Sequence, residues 1–239
     1  MDVKRLAKKA NENITHLIVS SECTAKWYKS AFGVDDEKIF PIGLPRTDLM
    51  LDDSKRQKMQ ERFFEQYPDL RGKRITLYAP TFRDSQVENP EICLDFDSLN
   101  RCMGENEVLL IRLHPHVAEH CPAGIWDMYP DKIRNVSDYP GVATLLSVAD
   151  QLITDYSSII YEYCLLKRKM IFYAYDYEVF QKDGRNFYED YEKFVPGMIV
   201  YTQPELEKIW HTAYEDDSQR EQFCGRIFKY QDKNAVNRL

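Results

Sequence analysis

The stretch LITDYSSIIYEYCLL, from Leu152 to Leu166, contains the transition that decides the fold class. An apolar run typical of a buried strand ends in Asp155, and a helix-like run follows over residues 157–166. Two adjacent serines, Ser157 and Ser158, stand where the strand passes into the helix. A helix start presents unpaired N–H groups and a positive dipole end, which together suit a phosphate. The alternative is a plain N-cap, a role in which Ser is favoured.

Strand-like and helix-like runs alternate along the rest of the chain. Strands are predicted at residues 14–20, 38–43, 74–80, 107–113, 132–137, 151–155, 169–175 and 197–202. Helices are predicted at residues 22–32, 52–67, 95–103, 141–149, 157–166, 203–216 and 218–232. Residues 176–196 lack a clear period and are predicted as a long loop with one helical turn. This alternation is typical of an α/β fold with a Rossmann-like, doubly wound parallel sheet.

Length and composition exclude several classes of protein. The 239 residues are 44% hydrophobic, which is enough for a substantial core. A net charge of −7 argues against a nucleic-acid partner bound through bulk charge. No apolar run reaches the ~18 residues of a membrane span. Residues 1–16 contain a basic cluster but lack the apolar region of a signal peptide. The six cysteines have no paired spacing, which favours reduced thiols over a disulfide framework or a zinc site.

Polar clusters follow four of the predicted strands. They are GLPRTD after residues 38–43, PTFRD after 74–80, RLHPH after 107–113 and TDYSS after 151–155. In an open parallel sheet, ligands lie beyond the carboxyl ends of the strands, so these clusters should share one rim. They contribute cationic, imidazole and hydroxyl side chains, namely Arg46, Thr81, Arg83, Arg112, His114, His116, Ser157 and Ser158. Because Arg pairs with phosphate oxygens in a bidentate manner, the rim is predicted to bind an anion such as a diphosphate.

Each cluster also has a purely structural interpretation. Arg46 with Asp48, and Arg83 with Asp84, could be surface ion pairs of little energetic value. The two histidines of the HPH sequence could be structural hydrogen-bonding residues. A zinc site needs further ligands, and no metal is predicted. The shared position at strand ends is what favours a functional role.

The segments VSSECTAKWYKSAFGVDDEKIFPIGLPRTD, LYAPTFRD, LLIRLHPH, VADQLITDYSSIIYEYCLLKRKMIFY and DYEKFVPGMIV resemble, in order and spacing, the CDP-glycerol glycerophosphotransferase family. This family comprises teichoic acid primases and polymerases, with relatives in capsule synthesis. The resemblance implies a GT-B architecture, of which residues 14–239 form the carboxy-terminal, donor-binding, Rossmann-like half. Residues 1–13 are then the remnant of a linker. The family's amino-terminal domain, with its proposed catalytic base, has to come from a missing segment or from a partner subunit.

The resemblance assigns roles residue by residue. His114 of the R-x-H-P segment is implied to be catalytic, assisting at the pyrophosphate. Glu162 stands where the family commonly has Asp, and is implied to bind the hydroxyl groups of the donor's glycerol or ribose. Ser158 and Glu162 are one helical turn apart, which places both on one face. The remaining implied substrate-binding residues are Arg46, Pro80, Thr81, Arg83, Arg112, Leu113, His116, Ser157 and Ser158.

The implied activity is CDP-glycerol-dependent transfer of a polyol phosphate to a polyol-phosphate polymer or a lipid-linked acceptor, with release of CMP. No cofactor is implied. The implied location is the cytoplasm, with peripheral attachment of the full-length protein to the inner face of the membrane. One alternative is a GT-B sugar transferase that uses a UDP-type donor, since fold alone does not define substrate. Another is a nucleotide-binding fragment that is inactive without its amino-terminal domain. The polyol, the acceptor and the choice between teichoic acid and capsule stay open.

Overall fold

A computed structural model describes residues 9–83, 92–121, 128–182, 187–213 and 217–239, except for the side chain of His116. Six strands form an entirely parallel sheet in the order β5-β4-β3-β6-β7-β8. Their bounds are β3 Arg74–Tyr78, β4 Glu107–Ile111, β5 Ile133–Asn135, β6 Gln151–Thr154, β7 Lys169–Tyr173 and β8 Met198–Val200. The predicted α/β fold class is confirmed. Since the chain runs outward from β3 to β5 and then returns to β6 beside β3, the topological switch point lies between β3 and β6.

Eleven α-helices lie within the described ranges, and most connect successive strands. They are α1 Glu22–Phe32, α2 Asp48–Leu51, α3 Asp53–Gln66, α4 Phe96–Cys102, α5 Pro115–Ala118, α6 Val142–Val148, α7 Ile159–Cys164, α8 Tyr177–Lys182, α9 Tyr191–Phe194, α10 Gln203–Ile209 and α11 Ser218–Ile227. In the part of the chain that the structure describes, none of these helices is long and apolar enough to cross a bilayer.

Local capping chemistry explains where helix α1 begins and ends. The side chains of Ser21 and Thr24 each accept a hydrogen bond from the other's backbone N–H, which forms a capping box. Gly33 ends the helix in the left-handed region, at φ 65°, where a residue without a Cβ atom has little strain. Helix α3 begins in a similar way, because the Asp52 side chain accepts the N–H of Lys55.

Each face of the six-stranded sheet has its own hydrophobic core. Successive strand residues point to opposite faces, so Leu110 and Leu152 pack in one core while Leu109 and Ile153 pack in the other. Trp210, which is fully buried, fills the second core. Burial of both faces is what a parallel sheet requires, and it explains why the strands read as continuous apolar runs.

Two further strands, β1 Leu17–Ile18 and β2 Ile39–Phe40, form a separate parallel pair that does not join the large sheet. The prediction that both are strands is confirmed, but each is much shorter than the predicted runs 14–20 and 38–43. The first of the six strands of the main sheet begins only at Arg74. The assignment of residues 14–239 to one domain stays a prediction.

The loop after β2 is fixed by the carboxy-terminal segment. Asp48 is 3% exposed, and its two carboxylate oxygens accept the backbone N–H groups of Ala235 and Val236, at 3.0 and 3.1 Å. Gly43 has a φ of +96°, and a Cβ atom there would lie 3.3 Å from the Cβ atom of Ala235. The interpretation of Arg46 and Asp48 as a surface pair is therefore wrong, because Asp48 is a buried cap.

Several predicted elements differ in extent from the observed ones. The helix predicted from residue 157 begins at Ile159 and ends at Cys164. A helix not predicted, α5, follows His114, and the loop predicted at 176–196 contains two short helices, α8 and α9. Helix α10 ends at Ile209 rather than continuing to residue 216, and residues 214–216 lie outside the described part. These differences concern element ends, which hydrophobic periodicity locates poorly.

Glu107, at the amino end of β4, is the centre of a polar cluster at the edge opposite the predicted rim. Its carboxylate accepts hydrogen bonds from Arg74 at 3.0 Å and from the Gly104 N–H at 2.9 Å, and it lies 2.8 Å from Nε2 of His211. Burial by itself would raise the pKa of Glu107, but the bonds from Gly104 and His211 lower it below its ordinary value. The folded state therefore favours the charged carboxylate.

We expect Glu107→Gln to cost more stability at pH 7 than at pH 3.5. Because the pKa is lower in the folded than in the unfolded protein, this stabilisation is complete above the unfolded value of about 4.3 and is lost as the pH falls through the folded value. At pH 7 the loss should be about 1–3 kcal/mol, as for other hydrogen bonds to a charged group. Urea denaturation measures it, with the exposed Glu178→Gln as control. Equal losses at both pH values would contradict the assignment.

Candidate functional site

The predicted site residues lie at the carboxyl ends of the strands, and the structure brings most of them into two groups. The first group surrounds a cavity of about 320 Å³ beside helix α7, here called the Glu162 cavity. The second group surrounds a much smaller cavity, of about 20 Å³, between the loops that follow β3 and β4. The first group includes residues that follow β6, and the second includes residues that follow β3. Both loops adjoin the topological switch point, where open α/β sheets bind ligands.

Four predicted residues, Arg46, Ser157, Ser158 and Glu162, line the Glu162 cavity. Arg46 comes from the loop after β2, whereas the other three come from the turn and helix after β6. Apolar side chains of α2, α6 and α7 form the rest of the wall, namely Leu49, Met50, Val142, Ala143, Leu146 and Ile159. A mostly apolar cavity with a few convergent polar groups is the usual form of a small-molecule site.

Arg46 forms an ion pair with Glu162 across this cavity. The Arg46 side chain is 67% exposed, while that of Glu162 is only 13% exposed. The guanidinium therefore has donors available to a ligand, and the more buried carboxylate orients it. A cation and an acceptor-only carboxylate side by side suit a ligand that carries both a phosphate and hydroxyl groups.

Neither serine of the TDYSS sequence forms a strong helix cap. Ser158 is the N-cap residue of α7, but its side chain accepts no hydrogen bond from the first turn of that helix. Ser157 Oγ accepts the N–H of Ile159 at a long distance of 3.4 Å. The plain capping interpretation accounts poorly for the pair, and both hydroxyls lie on the wall of the Glu162 cavity.

Arg83 is 8% exposed and is bound on all sides by the protein itself. Its guanidinium donates to Asp176 at 2.7 and 2.9 Å, to Asp155 at 2.9 Å and to the carbonyl oxygen of Thr81. It also lies over the ring of Tyr156, 5.1 Å from the centroid. Burial by itself would lower the pKa of Arg83, but hydrogen bonding to Asp176 and the charge of Asp155 raise it, so the group remains charged.

Asp155 connects this network to the two serines. It is 2% exposed, and one carboxylate oxygen accepts the N–H of Thr81 at 2.8 Å and the N–H of Tyr156 at 2.6 Å. The carbonyl oxygen of Asp155 accepts the Tyr191 hydroxyl at 3.1 Å. Hydrogen bonds to the segments that follow β3 and β7 therefore fix the turn that contains Ser157. Arg83 and Asp155 thus join the loops of the site, and the predicted contact of Arg83 with a ligand stays a prediction.

His114 follows β4 and is exposed, as expected for a residue that faces the cleft. Its ring lies against that of Phe82, with centroids 4.5 Å apart. Together with Pro80, Thr81 and Leu113 it lines the small cavity. The predicted contacts of these residues with a ligand remain predictions.

Arg112 and Leu113 face the loop that follows β5. Arg112 Nη1 donates to the carbonyl oxygen of Tyr139 at 2.7 Å, and burial lowers the pKa of Arg112 below its ordinary value. Leu113 is 4% exposed, and its N–H donates to Ser137 Oγ at 2.9 Å. The side chain of His116, also predicted as a binding residue, lies outside the described part.

Sequence reasoning missed Asp155, Asp176 and Tyr156. Asp155 was visible in the TDYSS sequence, and a carboxylate at the end of an apolar strand is a signal of a buried partner, because burial of an unpaired charge is costly. That partner, Arg83, lies 72 positions away in the chain. No local pattern identifies Asp176 as the second partner.

Comparison with known proteins identifies the family of the chain. A family model described as CDP-Glycerol:Poly(glycerophosphate) glycerophosphotransferase matches residues 2–239. The chain belongs to this family. The predicted relationship is therefore confirmed over nearly its whole length.

Relatives of the chain include enzymes named for two polyols. It is 36% identical over 236 residues to teichoic acid ribitol-phosphate polymerase TarL of Staphylococcus aureus, and the match covers 96% of this chain and 41% of that protein. It is 32% identical over 238 residues to teichoic acid glycerol-phosphate primase of Bacillus subtilis, covering 100% of this chain and 59% of that protein. The chain thus spans about two fifths to three fifths of the length of these relatives.

Solved structures agree with the family assignment and the fold. A variant of the wall teichoic acid polymerase TagF, soaked with CDPG, superposes with a TM-score of 0.86 at 27% identity, covering 98% of this chain and 58% of that one. UDP-GlcNAc 2-epimerase from Neisseria meningitidis superposes with a TM-score of 0.54 at 13% identity, covering 93% and 59%. The second likeness concerns the fold alone.

Proposed function

We propose that the chain is the donor-binding half of a CDP-polyol-dependent polyol phosphotransferase of the teichoic acid or capsule type. The observation that carries the proposal is the convergence of Arg46, Ser157, Ser158 and Glu162 on one cavity. A CDP-polyol carries a diphosphate for the guanidinium and the hydroxyls, and diols for the carboxylate. Family membership supports the same donor class.

The proposed reaction is phosphoryl transfer. An acceptor hydroxyl oxygen attacks the phosphorus atom that bears the polyol, the bond from that phosphorus to the bridging oxygen breaks, and CMP leaves with the bridging oxygen. Protein groups contribute chiefly positioning and charge neutralisation in such a reaction. Arg46, Arg112 and the two serines neutralise charge on the leaving phosphate, and His114 donates a proton or a hydrogen bond to it.

The proposal covers two polyols, ribitol and glycerol. The relatives named for ribitol phosphate include matches at 36% and 37% identity, while those named for glycerol phosphate lie at 29–32%. Glycerol and ribitol donors share the CDP group, which the Glu162 cavity is proposed to hold. The primary ligands to test are therefore CMP, CDP-glycerol and CDP-ribitol, with UDP as the competitor.

Glu162 is expected to recognise a diol, and paired ligands test this. Calorimetry should show CMP binding about tenfold tighter than dCMP if Glu162 binds the ribose, since a hydrogen bond to a charged group contributes about 1.5–3 kcal/mol. If it binds the glycerol instead, CDP-glycerol should bind tighter than CDP by a similar factor. In Glu162→Ala the affected ratio should fall towards one. The exposed Glu178→Ala is the matched control.

Three results would contradict the proposal or part of it. Absence of binding by all the cytidine nucleotides at millimolar concentration would reject the donor site. Ratios that Glu162→Ala leaves unchanged in both ligand pairs would reject the role of Glu162. Tighter binding of UDP than of the cytidine nucleotides would favour a UDP-type donor.

A further inference from the structure

A second, larger cavity adjoins the Glu162 cavity. Its volume is about 410 Å³, and it lies between α1, the turn before α7 and the residues around the end of α11. We call it the aromatic cavity, because Trp27, Tyr28, Phe32, Tyr161, Tyr188 and Phe228 supply much of its wall. Arg46 and Ser158 line both cavities, so these two side chains form the shared wall.

The charge of the aromatic cavity differs from that of its neighbour. Among the described residues that line it, Arg46 is the one charged side chain, and neither a carboxylate nor an imidazole is present. Glu162, the partner of Arg46, lines only the other cavity. Small hydroxyl groups come from Ser20, Thr24 and Ser158. The cavity thus offers a cation and hydroxyls within aromatic walls, which favours an anionic ligand that also has C–H surface.

Two of the aromatic residues that line the cavity are exposed. Tyr28 is 41% exposed and Tyr188 is 60% exposed. The Tyr188 ring stacks on that of Trp27, with centroids 6.3 Å apart and an angle of 26° between the planes. Clustered exposed apolar surface on a folded protein is typical of a binding surface. Aromatic faces of this kind pack against the C–H groups of extended polyol chains.

From these observations we propose that the aromatic cavity binds the terminal polyol phosphate of the acceptor. The inference rests on the proposed function, because the Glu162 cavity has to hold the donor. Arg46 would then lie between the donor diphosphate and the last phosphodiester of the acceptor, and the aromatic rings would hold the polyol carbons. A terminal hydroxyl in this cavity lies beside the wall that carries Arg46 and Ser158, where transfer is proposed to occur.

The test uses the 239-residue chain and a glycerol phosphate dimer joined by a phosphodiester. Trp27 lines the cavity, so its fluorescence should change on titration with the dimer, and Trp27→Phe should remove the change. The double variant Tyr28→Ser with Tyr188→Ser should weaken dimer binding about tenfold, because the polyol carbons lose two apolar aromatic faces. Its affinity for CMP should change less than twofold. Tyr201→Ser, a 37% exposed tyrosine outside the cavity, is the matched control.

The outcomes separate the two proposals. If CMP binds and the dimer does not, or if the double variant binds the dimer normally, the acceptor assignment is wrong while the donor assignment stands. Competition between the dimer and CMP for one site would also reject a separate acceptor cavity. If CMP fails to bind, the proposed function fails and the inference fails with it. Simultaneous binding, with the dimer alone sensitive to Tyr28 and Tyr188, supports both.

Discussion

Arg83→Ala is expected to destabilise the protein by about 3–5 kcal/mol, the usual cost of removing one partner from a buried ion pair. Asp155, which is 2% exposed, and Asp176, whose side chain is 18% exposed, would both lose their cationic partner. For a chain of this length the melting temperature should fall by roughly 10 °C. Thermal and urea denaturation of the purified variant measure the effect.

A matched surface variant gives the scale for this result. Arg71 pairs with Glu61 at 2.9 Å, but both side chains are about half exposed. Arg71→Ala should therefore cost less than about 1 kcal/mol. Arg83→Lys keeps the charge but lacks the planar fork that reaches two carboxylates, so it should lose less stability than Arg83→Ala. If Arg83→Ala does not fold, Arg83→Lys can still be compared with Arg71→Ala.

The same pair of variants decides between two roles for Arg83. If Arg83 positions the loops, loss of stability and weaker CMP binding should appear together, and Arg83→Lys should recover part of both. If Arg83 instead contacts the donor phosphate, CMP binding should fall in Arg83→Ala while its melting temperature stays within about 2 °C of wild type. The second result would reject the framework role.

Much of the fold and part of the site could be predicted, because both depend on local patterns. Parallel strands buried on both faces leave continuous apolar runs, so β3, β4, β6 and β7 were recognisable as such runs in the sequence. Parallel strands also place their carboxyl ends on one edge, which is why Ser157 and Ser158 could be expected near a ligand, whereas Glu162 was implied only by the family resemblance. Four of the predicted residues lie together on the wall of the Glu162 cavity, and their contact with a ligand stays a prediction.

The roles of individual polar residues could not be predicted from the sequence, because they depend on partners that are far away in the chain. Arg46 and Arg83 look alike in sequence, since each follows a strand and a proline. Arg46 is exposed beside a cavity, while Arg83 is buried against Asp176, 93 positions later. Asp48 likewise finds its partners in the last residues of the chain. A polar residue at a strand end can face a ligand or lock a loop, and only the distant partner decides which.

The second large effect concerns catalysis by the 239-residue chain alone, which is expected to bind a CDP-polyol but to transfer no polyol phosphate at a useful rate. Transfer needs the acceptor hydroxyl held about 3–3.5 Å from the phosphorus atom, and it gains from a base beside that hydroxyl. The aromatic cavity, proposed to hold the acceptor, is lined by described residues that include no carboxylate and no histidine. His114 lines the other, smaller cavity and is proposed to act on the leaving group.

The expected loss of transfer rate can be estimated from two contributions to catalysis, a general base and the orientation of the acceptor. A positioned general base contributes about 10²–10⁴ in rate. Complete loss of acceptor orientation would raise the barrier by on the order of 7–11 kcal/mol, although a partial acceptor site on this chain would retain some of that. The teichoic acid glycerol-phosphate primase of Bacillus subtilis, of which the matched region covers 59%, is a suitable full-length reference. We expect the chain to be at least about 10³-fold slower.

Release of CMP from CDP-glycerol and from CDP-ribitol, with and without a glycerol phosphate dimer, measures this deficit. Calorimetry on the same preparation has to show nucleotide binding, so that inactivity is not confused with misfolding. The expected result is CMP release at least about 10³-fold slower than by the primase, both with and without the dimer. His114→Ala should then leave the isolated chain's rate unchanged, although it would slow a full-length enzyme. Acceptor-dependent turnover within tenfold of the primase would contradict the prediction, because it would place a complete catalytic set, base included, within these 239 residues.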